Sequence, residues 1–277
     1  MSLVRLVLAV EAGCAVVLHL LVGLLKAACW IPFCTQTQRD QAVRIWCMEL
    51  LRVLRVQTVF RGYVQDAIRR RGMTVANHVS WIDVCLLNCV VSSRFVAKAE
   101  VRAWPCIGLL ARRAESFFLR RDSARDFLRV KEEVAAALRS GDHVTFFAEG
   151  TTTDGQRLLQ FRSGLVEGAV EAGAYVCPAA IRYRVEGHEA GTGTPVAFVD
   201  DMTFLGSLGR ILMCRGVLAE VTYAPPISTV GRTRRQVAAE ARNAISRLLQ
   251  RPAEAVVLLD ETQAKNEVRE TQVLGTA

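Results

Sequence analysis

The sequence has no Cys-x-x-Cys pair, no G-x-S-x-G turn, no internal repeat, and only four histidines in 277 residues. Its nine cysteines (14, 29, 34, 47, 85, 89, 106, 177 and 214) are odd in number and scattered. That spacing argues against a disulfide framework and for reduced thiols used mainly as small apolar side chains, on the cytosolic side of a membrane. Cys85 and Cys89 stand one helical turn apart, but no histidine lies near enough to complete a ligand set, so no metal site is expected. Without G-x-S-x-G there is no nucleophile elbow for a serine. Charge is sparse, at 22% of residues, and basic in balance, with 35 Lys and Arg against 27 Asp and Glu for a formal +8. The arginines are dispersed and lack interleaved aromatics, which argues against a nucleic-acid partner. A basic surface of this kind suits anionic lipid headgroups or a phosphorylated ligand instead.

What is abundant is apolar sequence, 51% of the chain. The length suffices for one α/β domain with a full core plus accessory segments. Residues 3–33 carry charge only at Arg5, Glu11 and Lys26. The stretch from Leu6 to Leu25 reaches the roughly 20 residues needed to cross a bilayer. Glu11 and His19, eight apart, fall near one helical face and permit a polar seam. No small-x-small cleavage site follows at the right distance, so a membrane anchor is preferred over a cleaved signal peptide or a buried helix. A second helix is predicted over 37–55, where Ala42, Ile45, Trp46, Leu50, Leu51 and Leu54 form an apolar stripe among arginines. The pattern suits equally a helix packed on the domain; a membrane-associated helical hairpin is the preferred reading, with Trp30 and Trp46 at headgroup level.

From Val56 onward, strand-length apolar runs alternate with helical patterns. Strands are predicted at 56–60, 73–76, 95–97, 116–119, 144–148, 175–181, 196–199 and 218–223. Helices are predicted at 82–91, 107–113, 123–140, 165–172, 205–214 and 233–249. Ser123 is a fitting N-cap and Gly141 a fitting residue just past the helix end. The alternation predicts an α/β fold: a mixed, largely parallel sheet flanked by helices, preceded by the N-terminal membrane-associated hairpin. The expected division is a membrane-anchoring segment at 1–55, a catalytic domain at 56–250, and a polar, aperiodic tail at 251–277 that reads as disordered.

Two motifs follow strand-like runs. Asn77-His78-Val79-Ser80-Trp81-Ile82-Asp83 comes after the first, and Phe147-Ala148-Glu149-Gly150-Thr151-Thr152 after the second. On a regular helix His78 and Asp83 would lie about 140° apart. They meet most easily if His78 sits in the turn and Asp83 in the first helical turn. There Asp83 accepts from one ring nitrogen and fixes the tautomer, leaving the other nitrogen to take a proton. Ordinary helix capping by Asn77, Ser80 and Asp83 fits the same spacing.

The whole string resembles the NHxSxxD block of the glycerophospholipid acyltransferases, typified by the lysophosphatidic acid acyltransferases. Four further pieces fall in that family's order: Phe95-Val96-Ala97-Lys98-Ala99-Glu100, Phe117-Phe118-Leu119-Arg120-Arg121, Phe147-Ala148-Glu149-Gly150-Thr151, and Val176-Cys177-Pro178-Ala179. The resemblance covers about residues 56–225. It implies transfer of an acyl group from a thioester, acyl-CoA or acyl-carrier protein, to a lysolipid hydroxyl, with no permanently bound cofactor. His78 would be the general base and Asp83 its orienting partner. Substrate binding would fall to Asn77, Ser80, Arg121, Glu149, Gly150, Thr151 and Thr152. The partners implied are membrane lipids, the lysolipid acceptor and, as one donor, acyl-carrier protein, with the catalytic domain on the cytoplasmic side of the membrane (the inner membrane in a bacterium).

Three positions depart from the family pattern. Ala148 replaces a proline, Glu115 stands where the second block has glycine, and Thr152 stands where phosphatidic-acid-forming members carry arginine. Losing that arginine removes a bidentate phosphate ligand. The longer string from Glu149 to Gly155, with Phe161-Arg162-Ser163-Gly164, is closer to bacterial lyso-ornithine-lipid acyltransferases, whose acceptors carry an amino acid headgroup. Both 1-acyl-sn-glycerol-3-phosphate and lyso-ornithine lipid therefore stand as acceptors. A non-catalytic lipid-binding protein on the same fold, or a hydrolase of acyl thioesters or esters, is the alternative.

Overall fold

The structure is a computed structural model and describes residues 3–70, 72–188, 193–199 and 202–250, with side chains described from residue 11. The tail expected at 251–277 lies outside the described residues. Helix α1 (Leu3–Cys29) leads through a short 3-10 turn (Ile31–Phe33) to α2 (Gln36–Val53), whose start is fixed by a reciprocal capping box between Thr35 and Gln38. Then follow β1 (Val56–Gly62), α3 (Val64–Arg70), β2 (Met73–Ala76), α4 (Asp83–Val90), β3 (Arg94–Lys98), α5 (Ile107–Arg113) and β4 (Phe117–Leu119). The chain continues through α6 (Ala124–Arg139), β5 (Val144–Phe147), α7 (Val166–Glu171), β6 (Val176–Val185), α8 (Phe204–Met213), β7 (Val217–Tyr223) and α9 (Arg234–Gln250).

The strands form one seven-stranded sheet in the order β1-β7-β6-β2-β5-β3-β4. Every neighbouring pair is parallel except β6 with β7. The expected mixed, largely parallel sheet is thus the observed one. Its central strands β2 and β5 are buried along their whole length, as strands covered on both faces must be. Leu50 and Leu51 of α2 and Leu86 and Leu87 of α4 pack on one face. Val134 of α6, Ala169 of α7 and Ala241 of α9 pack on the other. Each fully buried leucine contributes about 1.5–3 kcal/mol relative to an exposed one. Burial also pushes the thiols of Cys89 and Cys177 up to about 12, so both serve as small neutral core side chains.

Two expectations differ from the structure. Residues 196–199 form a turn and loop rather than a strand, held where the Phe198 amide donates to the Val79 carbonyl at 2.9 Å. Their apolar run is buried at Val196 and Ala197 under that contact, and a short apolar run alone cannot distinguish the two cases. The N-terminal hairpin forms, but α2 buries Cys47, Leu50 and Leu51 against the domain and is one of its walls. Trp46 consequently turns inward: its ring stacks on His19 with centroids 5.0 Å apart, while His19 Nε2–H donates to the Trp46 carbonyl at 3.0 Å. Helix α1 buries Ala12, Val16 and Ala27 and leaves Val17, Leu18, Leu21 and Leu25 more than half exposed.

Candidate active site

Strands β2 and β5 are adjacent and parallel, with Ala76 opposite Phe147. The two motifs therefore emerge side by side at the carboxyl edge of the sheet, where open α/β sheets hold their ligands. Asn77 ends β2 with its side chain: the amide donates to the Ile181 carbonyl at 3.0 Å and accepts from the Ile181 amide at 2.7 Å. The chain then turns, and Asp83 opens α4. Its Oδ2 accepts from the amides of Val79 (2.7 Å) and Ser80 (2.9 Å) and from His78 Nδ1 (2.8 Å). Its Oδ1 accepts from the hydroxyl of Tyr183. Asp83 is fully buried, so these donors replace the water its charge has lost. A proton on His78 Nδ1 leaves the Nε2 lone pair as the ring's basic site. The Phe147 ring lies flat on the imidazole, with centroids 3.8 Å apart and planes 8° from parallel, which sets the ring plane.

Glu149 is 4% exposed and acts behind this pair. Oε1 accepts from the His78 amide at 2.8 Å and Oε2 from the Leu159 amide at 2.9 Å. Burial pushes its carboxyl above the ordinary range, and the two amides pull it back. The Thr153 amide donates to the His78 carbonyl at 2.9 Å. The backbone of the histidine is thus clamped on both sides by the turn after β5.

His78 and Trp81 open onto a cavity of about 630 Å³, a size typical of small-molecule sites, which run to roughly 300–1,000 Å³. Val16 and Leu20 of α1, Cys47 and Leu50 of α2, and Ile107 and Leu110 of α5 make its walls apolar. Arg121 and Arg162 stand on the lining with Gly150, Thr151 and Thr152. Burial and the neighbouring Arg162 both lower the pKa of Arg121, which records two guanidiniums sharing one region. Among the described residues neither makes an ion pair within 4.0 Å. Gly150 has φ +75, and a Cβ there would come within 2.9 Å of Arg162 Nε, so the arginine lies across the glycine.

The structure therefore brings His78 and Asp83 together and sets Arg121, Gly150, Thr151 and Thr152 on the cavity lining. The Thr152 hydroxyl donates to the Phe198 carbonyl. Asn77, Ser80 and Glu149, expected to bind substrate, instead hold the framework behind the lining; Ser80 is fully buried. Three residues join the site that the sequence did not single out. Phe147 and Arg162 belong to quoted strings but carried no assigned part. Tyr183 had one signal: on β6 it continues the Cys177, Ala179, Ile181 alternation toward the face that α4 covers.

A covered, largely parallel sheet with an apolar cavity at its carboxyl edge defines the class, an α/β enzyme with room for an apolar chain. The model of the acyltransferase family matches residues 55–182. Over 207 residues, 75% of this chain and 78% of the other, the chain is 36% identical to a lyso-ornithine lipid O-acyltransferase of Pseudomonas aeruginosa. It is 39% identical over 151 residues, 54% of this chain and 58% of the other, to a 1-acyl-sn-glycerol-3-phosphate acyltransferase of Neisseria meningitidis. The crystal structure of the 1-acyl-sn-glycerophosphate acyltransferase of Thermotoga maritima shares the fold, with a TM-score of 0.65 at 19% identity over 90% of this chain and 98% of that one. The chain belongs to the acyltransferase family, and it is an enzyme of that kind.

Proposed function

We propose that the protein transfers a fatty acyl group from an acyl thioester, acyl-CoA or acyl-carrier protein, to the hydroxyl of a lysolipid whose headgroup carries a phosphate or a carboxylate. The observation that carries this reading is the His78–Asp83 pair, with His78 on the lining of an apolar cavity that also bears Arg121 and Arg162. His78 Nε2 takes the proton of the acceptor hydroxyl as its oxygen attacks the thioester carbonyl. The carbon–sulfur bond then breaks, and the imidazolium returns the proton to the departing thiolate. An alcohol is a poor nucleophile at neutral pH, so removing its proton during attack lowers the barrier. Asp83 stabilises the imidazolium, and the ring returns neutral, with no acyl-enzyme and no resident cofactor.

The acceptor we favour is lyso-ornithine lipid over 1-acyl-sn-glycerol-3-phosphate. Thr152 stands where phosphatidic-acid-forming members carry a phosphate-binding arginine, and relatives from Pseudomonas aeruginosa and Brucella abortus bear the lyso-ornithine name. Arg121 and Arg162 would hold the headgroup carboxylate. The outward face of α1 (Leu18, Leu21, Leu25) would seat in the membrane, making 1–55 the anchoring segment and 56–250 the catalytic unit on the cytoplasmic side. The test is acyl transfer by purified protein in lipid discs, offered each thioester with each lysolipid. Transfer should need His78, and His78→Ala with wild-type activity would refute the base. Equal kcat/KM on the two lysolipids would refute the acceptor preference.

A further inference from the structure

Asp83 Oδ2 is filled by three donors, but Oδ1 accepts from the hydroxyl of one side chain a hundred residues away, Tyr183. β6 runs beside β2, and its alternation carries Cys177, Ala179 and Ile181 into the core shared with α4. Tyr183 follows in the same phase, which brings its phenol to the first turn of α4, where Asp83 sits. It is absent from the cavity lining, so it does not touch a molecule bound there. We propose that Tyr183 is a positioning residue for acyl transfer, the third member of a His78–Asp83–Tyr183 chain that sets how strongly Asp83 draws a proton onto His78. This inference rests on the reading of His78 as base.

The physical case is the division of charge on the carboxylate. A hydrogen bond from Tyr183 draws negative charge toward Oδ1 and away from Oδ2, the oxygen that faces the imidazole. Without it, Asp83 would hold the imidazolium more tightly. The phenol suits the part because burial and the adjacent Asp83 charge push its pKa well up, so it remains a donor throughout the working range. The other titratable groups around the chain are Glu149 from the turn after β5, Cys85 from α4, and Cys47 of α2 beside Cys85. None of them donates to Asp83 Oδ1 among the described residues.

The experiment is the Tyr183→Phe variant of the full chain, assayed with acyl thioester and lysolipid across pH. kcat should fall about tenfold at neutral pH with both KM values unchanged, the scale of one lost hydrogen bond to a charged group. The acidic limb of the kcat/KM profile should move to higher pH. In a His78→Ala background the same substitution should cost nothing further, because its effect passes through the histidine. Site-specific 3-fluorotyrosine at 183, a stronger donor of the same shape, should move the limb to lower pH and keeps the test open if the phenylalanine variant folds poorly. Wild-type kcat and an unmoved limb in both variants would overturn the inference, as would an equal loss in the His78→Ala background. Full activity of His78→Ala alone would overturn the base reading instead.

Discussion

Glu149 Oε1 lies 2.8 Å from the amide nitrogen of His78, and this contact joins the ends of two neighbouring strands across 71 residues of sequence. The glutamate serves the histidine's backbone, while Asp83 serves its ring. The two carboxylates divide one task, each engaging a different part of His78.

Glu149→Gln tests the backbone half. The amide keeps one acceptor oxygen, so either the His78 or the Leu159 amide loses its partner, at a cost of about 1–3 kcal/mol for a buried unsatisfied donor. Thermal unfolding should show that loss, and kcat should fall with it. Because burial raises the carboxyl's folded pKa, the native state holds a proton to higher pH than the unfolded chain. This group's contribution to stability therefore declines as pH rises from the ordinary glutamate range through the raised value. The glutamine variant should lack that slope in denaturant titrations at stepped pH.

Asp83→Asn tests the ring half. An asparagine can turn its NH2 toward His78 Nδ1, which places the ring proton on Nε2 and removes the basic lone pair. Loss of acyl transfer of about 10²–10⁴-fold is expected, the usual worth of a general base. Wild-type turnover would show that the tautomer does not matter.

Gly150→Ala and Arg162→Ala address the anion end. A side chain at φ +75 costs about 1–2 kcal/mol and also displaces Arg162 from above the glycine. Both variants should raise KM for the lysolipid at least several-fold, the cost of a lost charged contact, with KM for the thioester unchanged. If the thioester KM alone rises, the two arginines belong to the donor.

Leu18→Glu with Leu25→Glu addresses the membrane. These side chains are 63% and 65% exposed, so the fold should keep its stability within about 0.5 kcal/mol. Carboxylates on that face are costly in hydrocarbon. The double variant should therefore leave the vesicle fraction in a flotation assay. Undiminished flotation would place the membrane contact elsewhere.

Much of the fold is legible in the sequence because its signals are local. The run 144–147 and the run 73–76 are short, apolar and followed by polar turns, and both are buried central strands. The sequence misses α3, because Val64, Ala67 and Ile68 do face the core but a seven-residue helix is too short to establish a helical period. It reads 196–199 as a strand because the run is apolar and of strand length, whereas Val196 and Ala197 are buried under a loop contact. For α2 the apolar stripe is real, but a stripe does not say whether hydrocarbon or α4 lies against it.

By itself the sequence placed His78 and Asp83 five residues apart after a strand-like run, a spacing at which they meet most easily if the chain turns between them. It likewise fixed the order of the blocks that mark the family. Only the tertiary structure decided that Glu149 faces the backbone of His78, that Tyr183 closes the far side of Asp83, and that Arg162 overlies Gly150. The first two depend on which strands lie beside β2 and in what register, and the third on how the loop after β5 returns over its turn. Spacing along the chain does not encode those neighbours. They follow from packing two helical layers on one sheet, where a contact spanning a hundred residues is as close as one spanning five.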